Sequence, residues 1–222
     1  MSTLLNSFKY SPFLCYECPQ LASLAHQHGE KVLYPKHHII LTPEMPVHSV
    51  YYIEQGRVRY VSISPQGDEH IWGILTEDSF FGLIPILLLD PSCGVFVITE
   101  TPTTIYKIEK DCFLDILNTF PEFNLSIIKG LAHFGNELLN QIESLLFYNN
   151  RERLLELLLA SIDKENPVDQ NWYQLKIQYT QEDIGKIIGA TRITVTRLIS
   201  ELCKEEVIRM VNHKIEIKYT DP

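Results

Sequence analysis

Cysteine is scarce and scattered: the five among 222 residues form no regular framework. That argues against a secreted, disulfide-stapled fold in a chain of this length. No run approaches the roughly 20 apolar residues that a membrane helix needs. The longest, Phe80 to Leu89, already contains Gly82 and Pro85. The N-terminus lacks a basic start followed by an apolar core, so no secretion signal is expected. A cytoplasmic protein without membrane contact is the expectation. A Ser/His/Asp arrangement or a pair of facing carboxylates is likewise missing, and no enzyme is expected.

Basic residues are also in the minority, with 19 Lys+Arg against 28 Asp+Glu and a net charge of −9. The deficit is uneven. Residues 1–150 hold 8 basic and 16 acidic residues, whereas 186–218 hold 7 basic and 4 acidic ones. Phosphate attraction follows the local field rather than the total. The C-terminal segment therefore stays open as a nucleic-acid surface.

What is present reads as two domains of ordinary globular composition, 45% hydrophobic and 21% charged. Short apolar alternating runs recur between turn residues: 50–53, 58–63, 71–75, 95–99 and 104–108. That rhythm predicts a β-roll of jelly-roll type. After Pro121 the pattern changes to a long helix ending near Phe147, with Ile128, Leu131, Gly135, Leu138, Ile142 and Leu145 at alternating three- and four-residue steps. This a/d seam predicts a dimerisation helix. A Leu-rich helix follows from Arg151 to about Asp163, and the polar stretch 163–171 reads as a loop. The expected class is α+β, divided as 1–120 sensor, 121–149 dimerisation helix and 150–222 DNA-binding domain.

The most informative string runs from Thr180 to Leu202. Thr180 and Asp183 have capping-box spacing ahead of Ile184, Ile187 and Ile188. Gly189 allows a tight turn, and Thr191 caps a second helix. There Val195, Leu198, Ile199 and Leu202 form one apolar face. The opposite face shows Arg192, Ile193, Thr196, Arg197 and Ser200. Two alternating strands about Asn212-His213-Lys214 follow as a wing. This is a winged helix-turn-helix pattern.

The order of parts, and the string I-G-K-I-I-G-A-T-R-I-T-V-T-R, resemble the Crp/Fnr family of transcription regulators over roughly residues 20–220. The resemblance implies a homodimer with one recognition helix per major groove of a palindromic operator. It places Arg197 as a guanine reader, Arg192 on base or phosphate, and Thr180, Thr191 and His213 at phosphates; Thr196 and the basic wing-tip Lys214 are further expected DNA contacts. RNA polymerase is a further partner if the protein activates. Members of the family usually carry Glu where this chain has Ile193. Ile offers only apolar contact, best with a thymine methyl, so A·T-rich half-sites are expected. A β-branched residue here is similar to the halorespiration (CprK-type) branch.

The family grips cyclic AMP through a Gly-Glu-Leu turn and an Arg-Ser pair. Here the stretch begins Gly82-Leu83-Ile84-Pro85, and no Arg or Lys lies between Arg59 and Lys107. Burying a phosphate without a cation is costly. A small apolar or aromatic effector is expected instead, in a pocket of Trp72, Ile74, Phe81, Leu83, Ile84, Leu131 and Phe134. No cofactor is expected. An alternative is redox sensing, either by a thiol or by an iron–sulfur cluster on Cys15, Cys18, Cys93 and Cys112. A cupin-like metal enzyme is the remote alternative.

Overall fold

A computed structural model describes residues 11–14, 19–88, 92–169 and 171–219. The described residues form two compact units, one within 13–136 and one within 137–219 together with 11–12. The division falls inside the longest helix rather than at its ends.

The first unit runs α1 (Pro19–His28), β1 (Glu30–Tyr34), β2 (Ile39–Leu41), β3 (Ser49–Gln55), β4 (Val58–Ile63), β5 (Glu69–Leu75), β6 (Phe80–Phe81), α2 (Leu83–Leu88), β7 (Phe96–Thr99), β8 (Thr103–Glu109), α3 (Lys110–Thr119) and the first part of α4 (Pro121–Phe147). Two antiparallel four-stranded sheets, β1-β8-β3-β6 and β2-β7-β4-β5, make the β-roll. The five expected strands are β3, β4, β5, β7 and β8. Val50, Ile53, Val58, Val97, Ile105 and Ile108 are fully buried between the sheets. Inside β5, Gly73 leaves room for Leu14, whose amide donates to the Ile74 carbonyl at 3.0 Å. A Cβ at Gly73 would stand 2.3 Å from Leu14 Cδ1.

Helix α4 is two-faced. Phe123 and Ile127 are buried in the roll's core, and Leu131 and Phe134 pack against it. A second apolar stripe consists of Leu125, Ile128, Ala132, Gly135, Leu139, Ile142 and Leu146, exposed apart from the half-exposed Gly135. These positions follow three-four steps without interruption. The exposed seam is thus rotated from the one expected. Ile128, Gly135 and Ile142 lie on it, but Leu131 turns to the roll, and Leu138 and Leu145 are half-buried. An a/d pattern cannot tell which of two neighbouring stripes the helix's own chain will cover.

The second unit contains the end of α4, α5 (Asn150–Ala160), β9 (Ile162–Asp169), β10 (Trp172–Leu175), α6 (Gln181–Ile188), α7 (Arg192–Lys204), β11 (Ile208–Val211) and β12 (Lys214–Lys218). Its sheet has the order β11-β12-β10-β9. The stretch read as a loop is largely β9, an edge strand exposed from Lys164 to Asp169. With no buried face it carries no alternation, and an edge tolerates Pro167. The end of α4 buries a polar stripe, Glu137, Gln141 and Ser144. The Ser144 hydroxyl donates to the buried Glu156 carboxylate of α5 at 2.5 Å. A full capping box between Asn149 and Glu152 starts α5, and the Arg153 guanidinium donates to the Leu145 carbonyl at 3.2 Å.

Gly73→Ala is expected to destabilise the protein by about 1–3 kcal/mol through overpacking against Leu14. Urea denaturation would measure this, and the loss should shrink in a Leu14→Ala background. Equal losses in both backgrounds would refute the contact as the cause.

Candidate nucleic-acid interface and cavity

The second unit builds its candidate reading surface from two short helices. Thr180 caps α6, its hydroxyl oxygen accepting from the Asp183 amide at 3.0 Å while donating to the Asp183 carboxylate at 2.6 Å. Only the amide contact belongs to a capping box; an Asp side chain is too short to return to the cap's own amide, so it takes the hydroxyl hydrogen instead. Gly189 closes α6 in the left-handed region, φ 66°, which glycine enters without steric penalty. Thr191 caps α7 through the Thr194 amide at 3.2 Å. Val195, Leu198, Ile199 and Leu202 are buried, as are Ile184, Ile187 and Leu157, where α7 packs against α6 and α5.

The outer face of α7 is exposed at Arg192, Ile193, Thr196, Arg197 and Ser200. Ile193 is the extreme case, 83% exposed. Arg197 Nη1 donates to Glu201 Oε1 one turn on, at 2.9 Å. Thr196 donates to the Arg192 carbonyl at 2.9 Å and meets the Gln181 side-chain oxygen at 2.6 Å. The sequence pattern did not single out Gln181, which belongs to the other helix. Its spacing of fifteen residues from Thr196 carries no periodic signal.

The wing is the β11–β12 hairpin. Asn212 and His213 both have positive φ, 49° and 61°, the two-residue geometry that matches the twist of a tight hairpin. His213 and Lys214 are exposed at its tip. Its base is held by a buried carboxylate: Arg209 Nε lies 2.6 Å from Glu216 Oε2, and the guanidinium lies 4.4 Å from the centre of the Trp172 ring. Thr180 and Thr191, expected at the DNA backbone, both use their hydroxyl oxygens to cap helices.

In the first unit a cavity opens between the roll and the first part of α4, with about 550 Å³ of empty space including its mouth. Phe81, Leu83, Ile84, Leu131 and Phe134 line it as expected from sequence, joined by Leu14, Tyr60, Phe80 and Cys93. Trp72 and Ile74 do not. The Trp72 indole donates to the Ser62 hydroxyl at 2.7 Å and meets His70 edge-on, while Ile74 is fully buried. Leu75 replaces it, because β5 alternates and its neighbour points the other way. Among the described residues no charged side chain lines the cavity. Burial pushes the Cys93 thiol up from its ordinary range. Cys112 lies half-buried on α3, and Cys15 and Cys18 lie outside the described residues. Among the described residues no group of three His, Cys, Asp or Glu could hold a metal ion.

Residues 31–120 match the cyclic nucleotide-binding domain model and residues 152–221 the Crp-like helix-turn-helix domain model. The chain belongs to the Crp/Fnr family. This Crp/Fnr protein is a DNA-binding transcription regulator. It is similar to the global nitrogen regulator of Nostoc sp. (strain PCC 7120 / SAG 25.82 / UTEX 2576), with 25% identity over 179 residues, 80% of each chain. Its fold is that of the c-di-GMP responsive global regulator CLP of Xanthomonas campestris, with TM-score 0.79 and 16% identity, covering 92% of this chain and 100% of that one. OCPA-complexed CprK has the same fold, with TM-score 0.72 and 19% identity over 93% of this chain and 94% of its own. No described helix of this Crp/Fnr regulator is long and apolar enough to cross a membrane.

Arg209→Met would leave the Glu216 carboxylate buried without its cation. It is expected to lower stability by about 1–3 kcal/mol, measured by chemical denaturation. The double change with Glu216→Gln should recover part of the loss. A neutral single variant would refute the pair as the support of the wing.

Proposed function

We propose that the regulator acts as a homodimer, that α7 reads a palindromic, A·T-rich operator from the major groove, and that an uncharged apolar or aromatic effector occupies the cavity. The observation that carries the DNA reading is the outer face of α7. Two arginines, a threonine and an exposed isoleucine stand together on a helix whose other face is fully committed to the core. An isoleucine has no reason to be held in water, whereas a thymine methyl offers it an apolar partner. Arg197 supplies the fork that suits guanine O6 and N7. His213 and Lys214 at the wing tip, Arg192, and Thr180 and Thr191 at the helix starts are assigned to the DNA backbone, Thr180 through its main chain because its hydroxyl hydrogen is engaged by Asp183.

Support for the dimer is the exposed stripe on α4. Six leucine, isoleucine and alanine side chains with Gly135 between them make a continuous seam of the kind that two copies of one helix bury together. Support for the effector is the cavity's chemistry. Among the described residues its lining is aromatic and aliphatic, with the Tyr60 hydroxyl and Cys93 thiol as the polar side-chain groups and no cation to hold a phosphate. Leu131 and Phe134 belong at once to the cavity wall and to the helix that carries the seam. A ligand that fills the cavity in one arrangement of α4 better than in another would shift the protein towards that arrangement.

Operator selection from a randomised DNA pool tests the reading. Arg197→Ala should weaken specific binding by about 1–3 kcal/mol and relax one guanine position. Ile193→Glu should move one half-site position from A·T towards G·C. Unchanged selection profiles in both variants would remove α7 from base reading. For the dimer, Leu139→Asp should yield monomers in sedimentation analysis, and an unaltered dimer would place the interface elsewhere.

A further inference from the structure

The hydrogen-bonding state of Thr196 is already decided before DNA arrives. A threonine hydroxyl has one hydrogen and two lone pairs. Both partners of Thr196 Oγ1 belong to the protein: the Arg192 carbonyl at 2.9 Å, which can only accept, and the Gln181 side-chain oxygen at 2.6 Å. The hydrogen is therefore engaged inside the protein. What Thr196 can offer outward is a lone pair. The Gln181 side chain makes no other hydrogen bond among the described residues, so it is free to serve Thr196. As the first residue of α6 it is held by the Thr180 cap, and it fixes the Thr196 rotamer from outside α7.

We propose that Gln181 is a positioning residue that makes Thr196 an acceptor-only reader, selective for a base carrying an exocyclic amine. In the major groove, adenine N6 and cytosine N4 present donors, whereas guanine O6 and thymine O4 present acceptors. Thr196 with its hydrogen engaged pairs with the former and faces the latter oxygen to oxygen. A freely rotating hydroxyl would serve either kind, so the selectivity comes from Gln181 and the Arg192 carbonyl together rather than from threonine itself. The proposal rests on α7 being the base-reading helix. It assigns a sequence preference to a residue on the other helix of the motif.

The test is operator selection with the full-length protein, comparing wild type with Thr196→Val, Gln181→Leu, Gln181→Glu and Arg197→Ala. Wild type should enrich adenine or cytosine at one half-site position, and Thr196→Val should lose that enrichment by about 3- to 10-fold. Gln181→Leu should relax the same position while keeping the guanine assigned to Arg197. Gln181→Glu keeps an acceptor oxygen beside Thr196, so it should retain the enrichment while its charge weakens binding to every sequence alike. Combining Gln181→Leu with Thr196→Val should relax that position no further than Thr196→Val alone. The proposal is overturned if the Thr196-dependent position prefers guanine or thymine. It is equally overturned if Gln181→Leu weakens all sequences uniformly and leaves the profile unchanged. Arg197→Ala separates the two levels: loss of its guanine with a silent Gln181→Leu sinks only the role of Gln181, while an unaltered profile sinks the reading beneath it.

Discussion

A 27-residue helix with apolar residues on more than one side sets the terms for the rest of the molecule. Helix α4 cannot bury all of them within its own chain. Phe123 and Ile127 go into the roll, Leu131 and Phe134 wall the cavity, and the stripe from Leu125 to Leu146 is left in water. Fully burying a leucine or isoleucine is worth about 1.5–3 kcal/mol, and the five on this line, half to two-thirds exposed, leave a good part of that unrealised within one chain. The same helix then changes character. Past Asn136 its inward stripe is Glu137, Gln141 and Ser144, polar groups that are buried and therefore need partners. Ser144 finds Glu156, and the Leu145 carbonyl finds Arg153. Directional polar contacts fix the end of α4 against α5 in one geometry, where apolar packing alone would tolerate sliding.

Elements with a buried face and an exposed one were legible in the sequence; elements without that contrast were not. Strands β3, β4, β5, β7 and β8 alternate between turn residues and were readable, as were α6 and α7 with their caps. Strand β9 was not, because an exposed edge of Asp, Lys, Glu and Asn looks like a loop. Helix α2 was hidden by Pro85, which a helix accepts only in its first turn, and by its six-residue length. The rotation of the α4 seam was beyond reach as well. Ile128 and Leu131 are equally apolar, and only the three-dimensional position of the roll decides which of them turns inward.

The candidate sites divide along the same line. Arg192, Ile193, Thr196 and Arg197 lie on one helix with its period, so their common face could be read directly. The cavity draws Leu14, Tyr60, Leu75 and Cys93 from separate elements, and Leu14 reaches it only because Gly73 has no side chain. No spacing rule connects those residues. Gln181 and Thr196 are the extreme instance. Their contact spans a turn whose geometry depends on Gly189 in a left-handed conformation, which a linear pattern signals only as a break.

The chemistry of the two sites explains how an acidic chain can carry a DNA reader. No described residue brings a charge into the cavity, so an uncharged occupant needs no cation there, and the surplus of carboxylates can stay on the surface. Arg192, Arg197 and Lys214 are concentrated where α7 and the wing are exposed. Phosphate attraction falls off within about 10 Å at moderate salt, so distant carboxylates weigh little against arginines at the contact. They still repel DNA that approaches in any other orientation. The net charge of −9 therefore disfavours indiscriminate adhesion to nucleic acid, and on the proposed reading it leaves affinity to α7 and the wing at close range.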